Sequence, residues 1–170
     1  DQFPDLIDVE ETGSTFEENS LLKARYTSQA TGLPAIADDS GLCVDALNGD
    51  PGIFSARWAG EHGNDRANLE KVLDQLKDVA DEKRTAHFMC VASLVLPDGR
   101  QQVAEGHFDG VILRAPIGEN GFGYDPIFQP AGMSISSAQM SAEEKDLLSH
   151  RGKSLRALAP HVIHLLGSLG

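Results

Sequence analysis

Ala35-Ile36-Ala37-Asp38-Asp39-Ser40-Gly41-Leu42 sets two adjacent carboxylates and a hydroxyl at the end of a short apolar run. Read as a buried strand emerging into a turn, the segment lets one aspartate anchor backbone while the other faces a cleft and holds a hard cation through oxygen. Two neighbouring carboxylates repel, and a divalent ion is the usual remedy. The alternative is a plain Asp-Asp-Ser-Gly turn, in which short polar side chains bond nearby backbone and Gly41 supplies an awkward dihedral.

Upstream, Ile7 to Glu10 reads as a short extended piece and Glu11-Thr12-Gly13 as a turn. Ser14 to Glu17 has the spacing of a capping box. The helix it opens carries Phe16, Leu21, Leu22, Ala24 and Ala30 on one side and ends at Gly32. Downstream of a short strand at Ala35 to Ala37, glycines and Pro51 punctuate Gly41 to Gly63 as loops. A second helix, capped by Asn64 or Asp65, repeats Leu69, Val72, Leu73 and Leu76 at helical spacing.

The period then changes. Thr85 to Leu96 and Gln102 to Leu113 read as the two arms of a hairpin across Pro97-Asp98-Gly99. Gly118 to Gly123 reads as a loop and Pro126 to Phe128 as a short strand. Ser141-Ala-Glu-Glu144 is another capping box, and a last helix from about Gly152 toward Leu166 is expected to be kinked or divided by Pro160. Helices alternating with strands around a central hairpin predict an α/β domain with a mixed sheet flanked by helices.

Composition bounds the function. A chain of 170 residues with 41% hydrophobic residues buries one core and predicts one domain. No apolar run is long enough to span a bilayer and the first residues show no signal pattern, so a cytoplasmic protein without a membrane partner is expected. The formal charge of −12 repels DNA and RNA, which excludes a nucleic-acid polymer as partner. A small phosphorylated molecule remains compatible if a metal and a few basic residues reverse the sign inside one pocket. Cys43 and Cys90 fit neither a disulfide framework nor a zinc motif, and read as core thiols of a reducing compartment.

Three further clusters carry candidate chemistry. Val9-Glu10-Glu11-Thr12-Gly13 places carboxylates beside a glycine turn, as ligands or as an acidic first turn complementing the helix dipole. Gly121-Phe-Gly-Tyr-Asp-Pro126 lets backbone approach a ligand while Phe122 presents a ring to a planar base; otherwise it is a turn with aromatic anchors. Lys145-Asp-Leu-Leu-Ser-His-Arg151 offers phosphate contacts and flat donors to a heterocycle edge, or else is a solvated basic helix end. Lys23 on the first helix is placed to join that group. His161 and His164 read as surface or packing residues, with no third metal ligand nearby.

Taken together, Glu10-Glu-Thr-Gly13, Glu18-Asn19 with Leu22-Lys-Ala24, Ala37-Asp-Asp-Ser-Gly-Leu42, Pro51-Gly-Ile-Phe-Ser-Ala-Arg57, Gly121-Phe-Gly-Tyr-Asp-Pro126 and Glu144-Lys145 with Ser149-His-Arg-Gly152 resemble the inosine triphosphate pyrophosphatase family, in order and across essentially the whole chain. The resemblance implies an elongated α/β fold with a nucleotide cleft between two lobes, a homodimer and a magnesium requirement. It also implies hydrolysis of noncanonical purine nucleotides (ITP, dITP, XTP) to the monophosphate and pyrophosphate. Its rivals are a house-cleaning pyrophosphatase for other modified nucleotides and a nucleotide-binding module without turnover.

Carried over residue by residue, the resemblance makes Asp39 the proton acceptor and a metal carboxylate, with Glu10 as the other metal-side carboxylate. Lys23 and Ser40 then face the phosphates. Phe122 stacks on the purine, Gly123 and Tyr124 shape the base pocket, and Asp125 bonds to the base edge. Lys145, His150 and Arg151 contact the nucleotide, the last two near the 6-oxo group. Members of that family open with a strand and a Thr or Ser, Asn and Lys loop around the triphosphate. No such segment precedes Asp1, so an N-terminally incomplete copy of a single 1–170 domain is expected.

Overall fold

The fold was obtained as a computed structural model, which describes Ile7 and residues 9–167. The extended piece expected over Ile7 to Glu10 contains Asp8, which lies outside the described residues; Ile7, Val9 and Glu10 belong to no regular element. The strand and phosphate loop that the resemblance sets ahead of Asp1 also lie outside them.

The elements run α1 (Phe16–Thr31), β1 (Ala35–Val44), α2 (Asp65–Gln75), β2 (Thr85–Val95), β3 (Gln101–Ile112), β4 (Phe128–Pro130), α3 (Ala142–Leu148) and α4 (His150–Gly167). The α/β class is as expected. The sheet, in order β1-β2-β3-β4, is antiparallel throughout rather than mixed. Each connection explains this, because β1 ends at Val44 opposite Ala86 near the start of β2, and the Pro97–Gly99 turn folds β3 straight back. A parallel neighbour would need a crossover to the far end of the sheet.

β1 corrects the opening expectation. The strand does not stop at Ala37 but pairs residue by residue from Ala35 opposite Val95 to Val44 opposite Ala86, so Asp38-Asp39-Ser40-Gly41 is strand, not turn. Gly41 is needed for close approach instead: a Cβ there would lie 2.2 Å from Gly52 O and 2.5 Å from Ser55 Oγ. The 3-10 helix Gly52–Arg57 thereby covers the outer edge of β1, with Leu42 N donating to Ser55 Oγ at 2.9 Å. An uncovered edge would offer free backbone groups to other chains.

Successive side chains of β1 point to opposite faces. On one face α1 packs Leu21 and Ala24 against Ala37, Val95 and Val103, and Ser20 Oγ donates to Ser93 Oγ at 2.7 Å. On the other, Leu42, Val44, Phe88, Phe108 and Phe128 meet Leu69 and Val72 of α2 and Leu76 at its C-cap, while Leu158 of α4 packs on Ala92 and Leu94. The α1 cap falls one residue later than the spacing predicts. Thr15 accepts from Glu18 N at 3.1 Å, and Glu18 in turn accepts from Ser14 N and Oγ. The Ser141–Glu144 capping box opens α3 as expected. α4 begins two residues earlier than expected and continues through Pro160, whose turn is exposed on the helix exterior.

Cys43 and Cys90 are buried free thiols, and His161 and His164 are exposed. No helix among the described residues is long and apolar enough to cross a membrane.

The first turn of α4 sits directly on β3 at Gly106, where a Cβ would lie 2.1 Å from His150 O and 2.6 Å from Ser154 N. Both obstacles are backbone, so the helix itself must move. Gly106→Ala is therefore expected to cost about 2 kcal/mol, lowering the melting temperature by roughly 4–8 °C for a chain of this size. An unchanged melting curve would contradict this packing.

Candidate active site

The alternation along β1 divides the two aspartates. Asp39, 8% exposed, faces α1, where Asn19 Nδ2 donates to its Oδ2 at 3.2 Å and Lys23 Nζ to its Oδ1 at 3.3 Å. Lys23 also reaches Glu11 Oε1 at 2.7 Å, so one ammonium bridges two carboxylates from separate segments. Asn19, fully buried, fixes that geometry by accepting from Gly13 N at 2.8 Å while it holds Asp39.

Electrostatics follow from this packing. Burial, reinforced by Glu11, raises the Asp39 carboxyl above its ordinary value against the opposing pull of Lys23. Burial also works against the Lys23 ammonium, but Glu11 and Asp39 outweigh it and raise its pKa.

Asp38 and Ser40 face the other way, toward α4. Arg151 Nε donates to Asp38 Oδ2 at 2.9 Å and its Nη2 to Ser40 Oγ at 3.2 Å. Beside them His150 stacks on Phe88 with ring centroids 4.9 Å apart and planes 12° from parallel. Burial, with help from Arg151 and Lys145, pulls the His150 pKa down to about 4. Its ring is neutral near pH 7.

The glycine-rich loop closes the same cleft. Phe122 is 66% exposed, and Lys145 Nζ lies 4.7 Å from its ring centroid. Asp125, only 3% exposed, accepts from Phe122 N at 2.8 Å and pairs with Lys145. Both contacts fall on Oδ2, so one carboxylate oxygen holds the loop and Lys145 while the residue still lines the cleft. Tyr124 donates its hydroxyl to Ser55 O at 2.7 Å, and Gly123 N donates to Asp65 Oδ2 at 2.7 Å.

Apart from Gly13 and Asn19, these residues line one cleft of about 290 Å³ that wraps around the edge of β1. It brings together Lys23, Asp39, Ser40, Phe122, Gly123, Tyr124, Asp125, Lys145, His150 and Arg151, ten of the eleven residues expected from the sequence. Glu10 is not among them. It is exposed and lines a neighbouring pocket, while Glu11 faces Asp39. The one-residue difference is a matter of which way a non-helical, non-strand segment turns its side chains, which two consecutive glutamates do not reveal. Sequence reading also passed over Asp38 as the partner of Arg151, Asp65 as more than a helix cap, and Phe88 as the platform under His150. Only the strand period of β1, had its length been recognised, would have exposed the first of these.

The comparisons with known proteins agree along the chain. The Ham1 family model matches residues 1–161. A dITP/XTP pyrophosphatase of Streptomyces coelicolor is 60% identical over 167 residues, covering 98% of this chain and 84% of that protein. The nucleoside-triphosphatase, dITP/XTP pyrophosphatase, of Mycobacterium abscessus superposes with a TM-score of 0.80 at 52% identity, covering 94% of this chain and 81% of that one. The Staphylococcus aureus Ham1 protein superposes with a TM-score of 0.88 at 48% identity, covering 94% and 82%. A family match over nearly the whole sequence, identities of 48 to 60%, and the same fold make this chain a member of the Ham1 family.

Proposed function

We propose that the cleft hydrolyses noncanonical purine nucleoside triphosphates, ITP, dITP and XTP, to the monophosphate and pyrophosphate, and so keeps them out of nucleic acid. The observation that carries this reading is the division of one cleft by β1. A buried carboxylate with a bridged ammonium lies on one side, and an exposed ring with flat donors lies on the other. The curated relatives' activity on dITP and XTP supports it. We read the two sides as the two lobes, phosphates toward α1 and base toward α4.

Hydrolysis adds one water across the α–β phosphoanhydride bond. Asp39, whose raised pKa suits a base, orients that water and takes its proton. Lys23 faces the phosphates, whereas Ser40, expected from the resemblance to join it, turns toward α4 and is held by Arg151 on the base side. Five carboxylates (Glu11, Asp38, Asp39, Asp65, Asp125) against three full cations (Lys23, Lys145, Arg151) line the cleft, an acidic balance that cannot by itself receive a triphosphate. Glu11 and Asp39 converge on one ammonium, so their hard oxygens are placed to share one cation. No group of three or more His, Cys, Asp or Glu among the described residues is arranged to hold a metal. That donor set fits magnesium, which takes one or two carboxylates and completes its shell from phosphates and water. Bound there, it would supply charge stabilisation for the phosphate oxygens. The metal-side pair is accordingly Glu11 with Asp39.

On the base side, Phe122 offers its open face for stacking, Lys145 supports that ring, and His150 and Tyr124 wall the pocket. Arg151 presents donors to a 6-oxo group. Adenine would set an amino group there and leave those donors unpaired, a penalty larger than lost apolar contact. We extend the same reading to a cytoplasmic homodimer, with the half-exposed Phe54 of the Pro51–Trp58 segment as interface surface.

Pyrophosphate release is expected from ITP and XTP well ahead of ATP, and only with magnesium. Asp39→Asn should lower kcat by about 100-fold or more. Glu11→Gln should raise the magnesium requirement while Glu10→Gln does not. Equal turnover of ITP and ATP, or an unimpaired Asp39→Asn, would refute the reading.

Neutral His150 has a separate, thermodynamic signature. Its folded pKa is about 4 against an unfolded value near 6.5, so the unfolded chain binds more protons between those values. The stabilisation is complete above about pH 6.5 and is lost as pH falls toward 4, on the order of 3 kcal/mol. Thermal unfolding between pH 7 and 4.5 should show this decline, and His150→Gln should flatten it.

A further inference from the structure

Asp38 is adjacent to the proposed base yet touches none of the Asp39 network. Its Oδ2 receives Arg151 Nε at 2.9 Å from one side and the thiol of Cys90 at 3.5 Å from another. Cys90 stands directly opposite Ser40 on β2, fully buried on the face that carries α4. Ser154 Oγ donates to Cys90 Sγ at 3.2 Å, from the same turn of α4 that begins with His150 and Arg151. Burial holds the thiol's pKa up at about 11, so it stays protonated and able to donate.

Geometry assigns this brace a purpose. Arg151 has a half-exposed side chain with four rotatable bonds up to its guanidinium, and left alone would sample many directions. With Nε tied to Asp38 and Nη2 to Ser40, its guanidinium plane is set and the remaining donors project from the bridge. We propose that Asp38, seated by Cys90, is a positioning residue that sets the direction of Arg151 and through it the preference for 6-oxo over 6-amino purines, taking no part in metal or water chemistry. The inference rests on the proposed reading of the cleft.

A double-mutant cycle tests it. With magnesium present, kcat and KM are measured for ITP and ATP in the unmodified protein, Asp38→Asn, Arg151→Ala and the double variant. Asp38→Asn is expected to lower the ITP-over-ATP ratio of kcat/KM about tenfold, through a raised KM for ITP. In the Arg151→Ala background the same change should move the ratio less than about twofold, because Asp38 acts through that arginine. Cys90→Ala should lower the ratio about threefold, and Cys90→Ser, which still donates to Asp38, should restore it. If Asp38→Asn does not fold, Asp38→Glu, which keeps the charge but displaces the bridge, is expected to lower the ratio in the same direction.

An unchanged ratio in the Asp38 variant, or the same drop with and without Arg151, overturns the inference and leaves the reading of the cleft intact. An unmodified protein with no preference for ITP over ATP overturns both.

Discussion

The alternation of side chains along β1, an edge strand covered on its outer side by a 3-10 helix, is the constraint on which the site depends. Because consecutive residues of a strand face opposite ways, Asp38 and Asp39 cannot serve one function side by side. One is delivered to α1 and the other to α4, and the cleft reaches both because it wraps the strand edge. A slip of one residue in the pairing of β1 with β2 would exchange the two carboxylates and dismantle both halves. The register from Ala35 opposite Val95 to Val44 opposite Ala86 is held by the buried Leu42 and Val44 on one face and by Ala37 against α1 on the other.

Two glycines make the arrangement sterically possible. Gly41 admits the 3-10 helix that carries Ser55, the acceptor of the Tyr124 hydroxyl, and Gly106 admits the backbone of the first turn of α4. Neither takes a left-handed conformation; each is small because another backbone needs the room. The ion pairs inside the cleft then do more for orientation than for stability, since partly exposed pairs contribute little net free energy. Lys145, paired with Asp125 and seated under Phe122, is the clearest case: it gives a two-thirds exposed ring a fixed attitude.

Much of the scaffold was legible because local chemistry and tertiary packing agree. The Ser141–Glu144 capping box, the Asn64 cap, the leucine spacing of α2 and the hairpin around Pro97–Gly99 are all read from neighbours within a few residues. The misread elements share a different cause. Asp-Asp-Ser-Gly has the local preferences of a turn, and only the ladder to β2 and the close approach of Gly52 and Ser55 hold it extended. The choice between Glu10 and Glu11 is of the same kind, because Glu11 is the one that meets Lys23 on α1.

Composition and local pattern by themselves determined the α/β class, the acidic surface that repels polyanions and the positions of the helices; the residues of the cleft came from the family resemblance. The first three follow from charge count, periodicity and capping, which act over a few residues. Tertiary structure alone decided which carboxylate meets which cation: Glu11 and Asp39 on Lys23, Asp38 on Arg151, Asp125 on Lys145. These pairs join residues 12 to 113 positions apart, and only the register of the sheet and the seating of helices on its two faces bring them within hydrogen-bond distance.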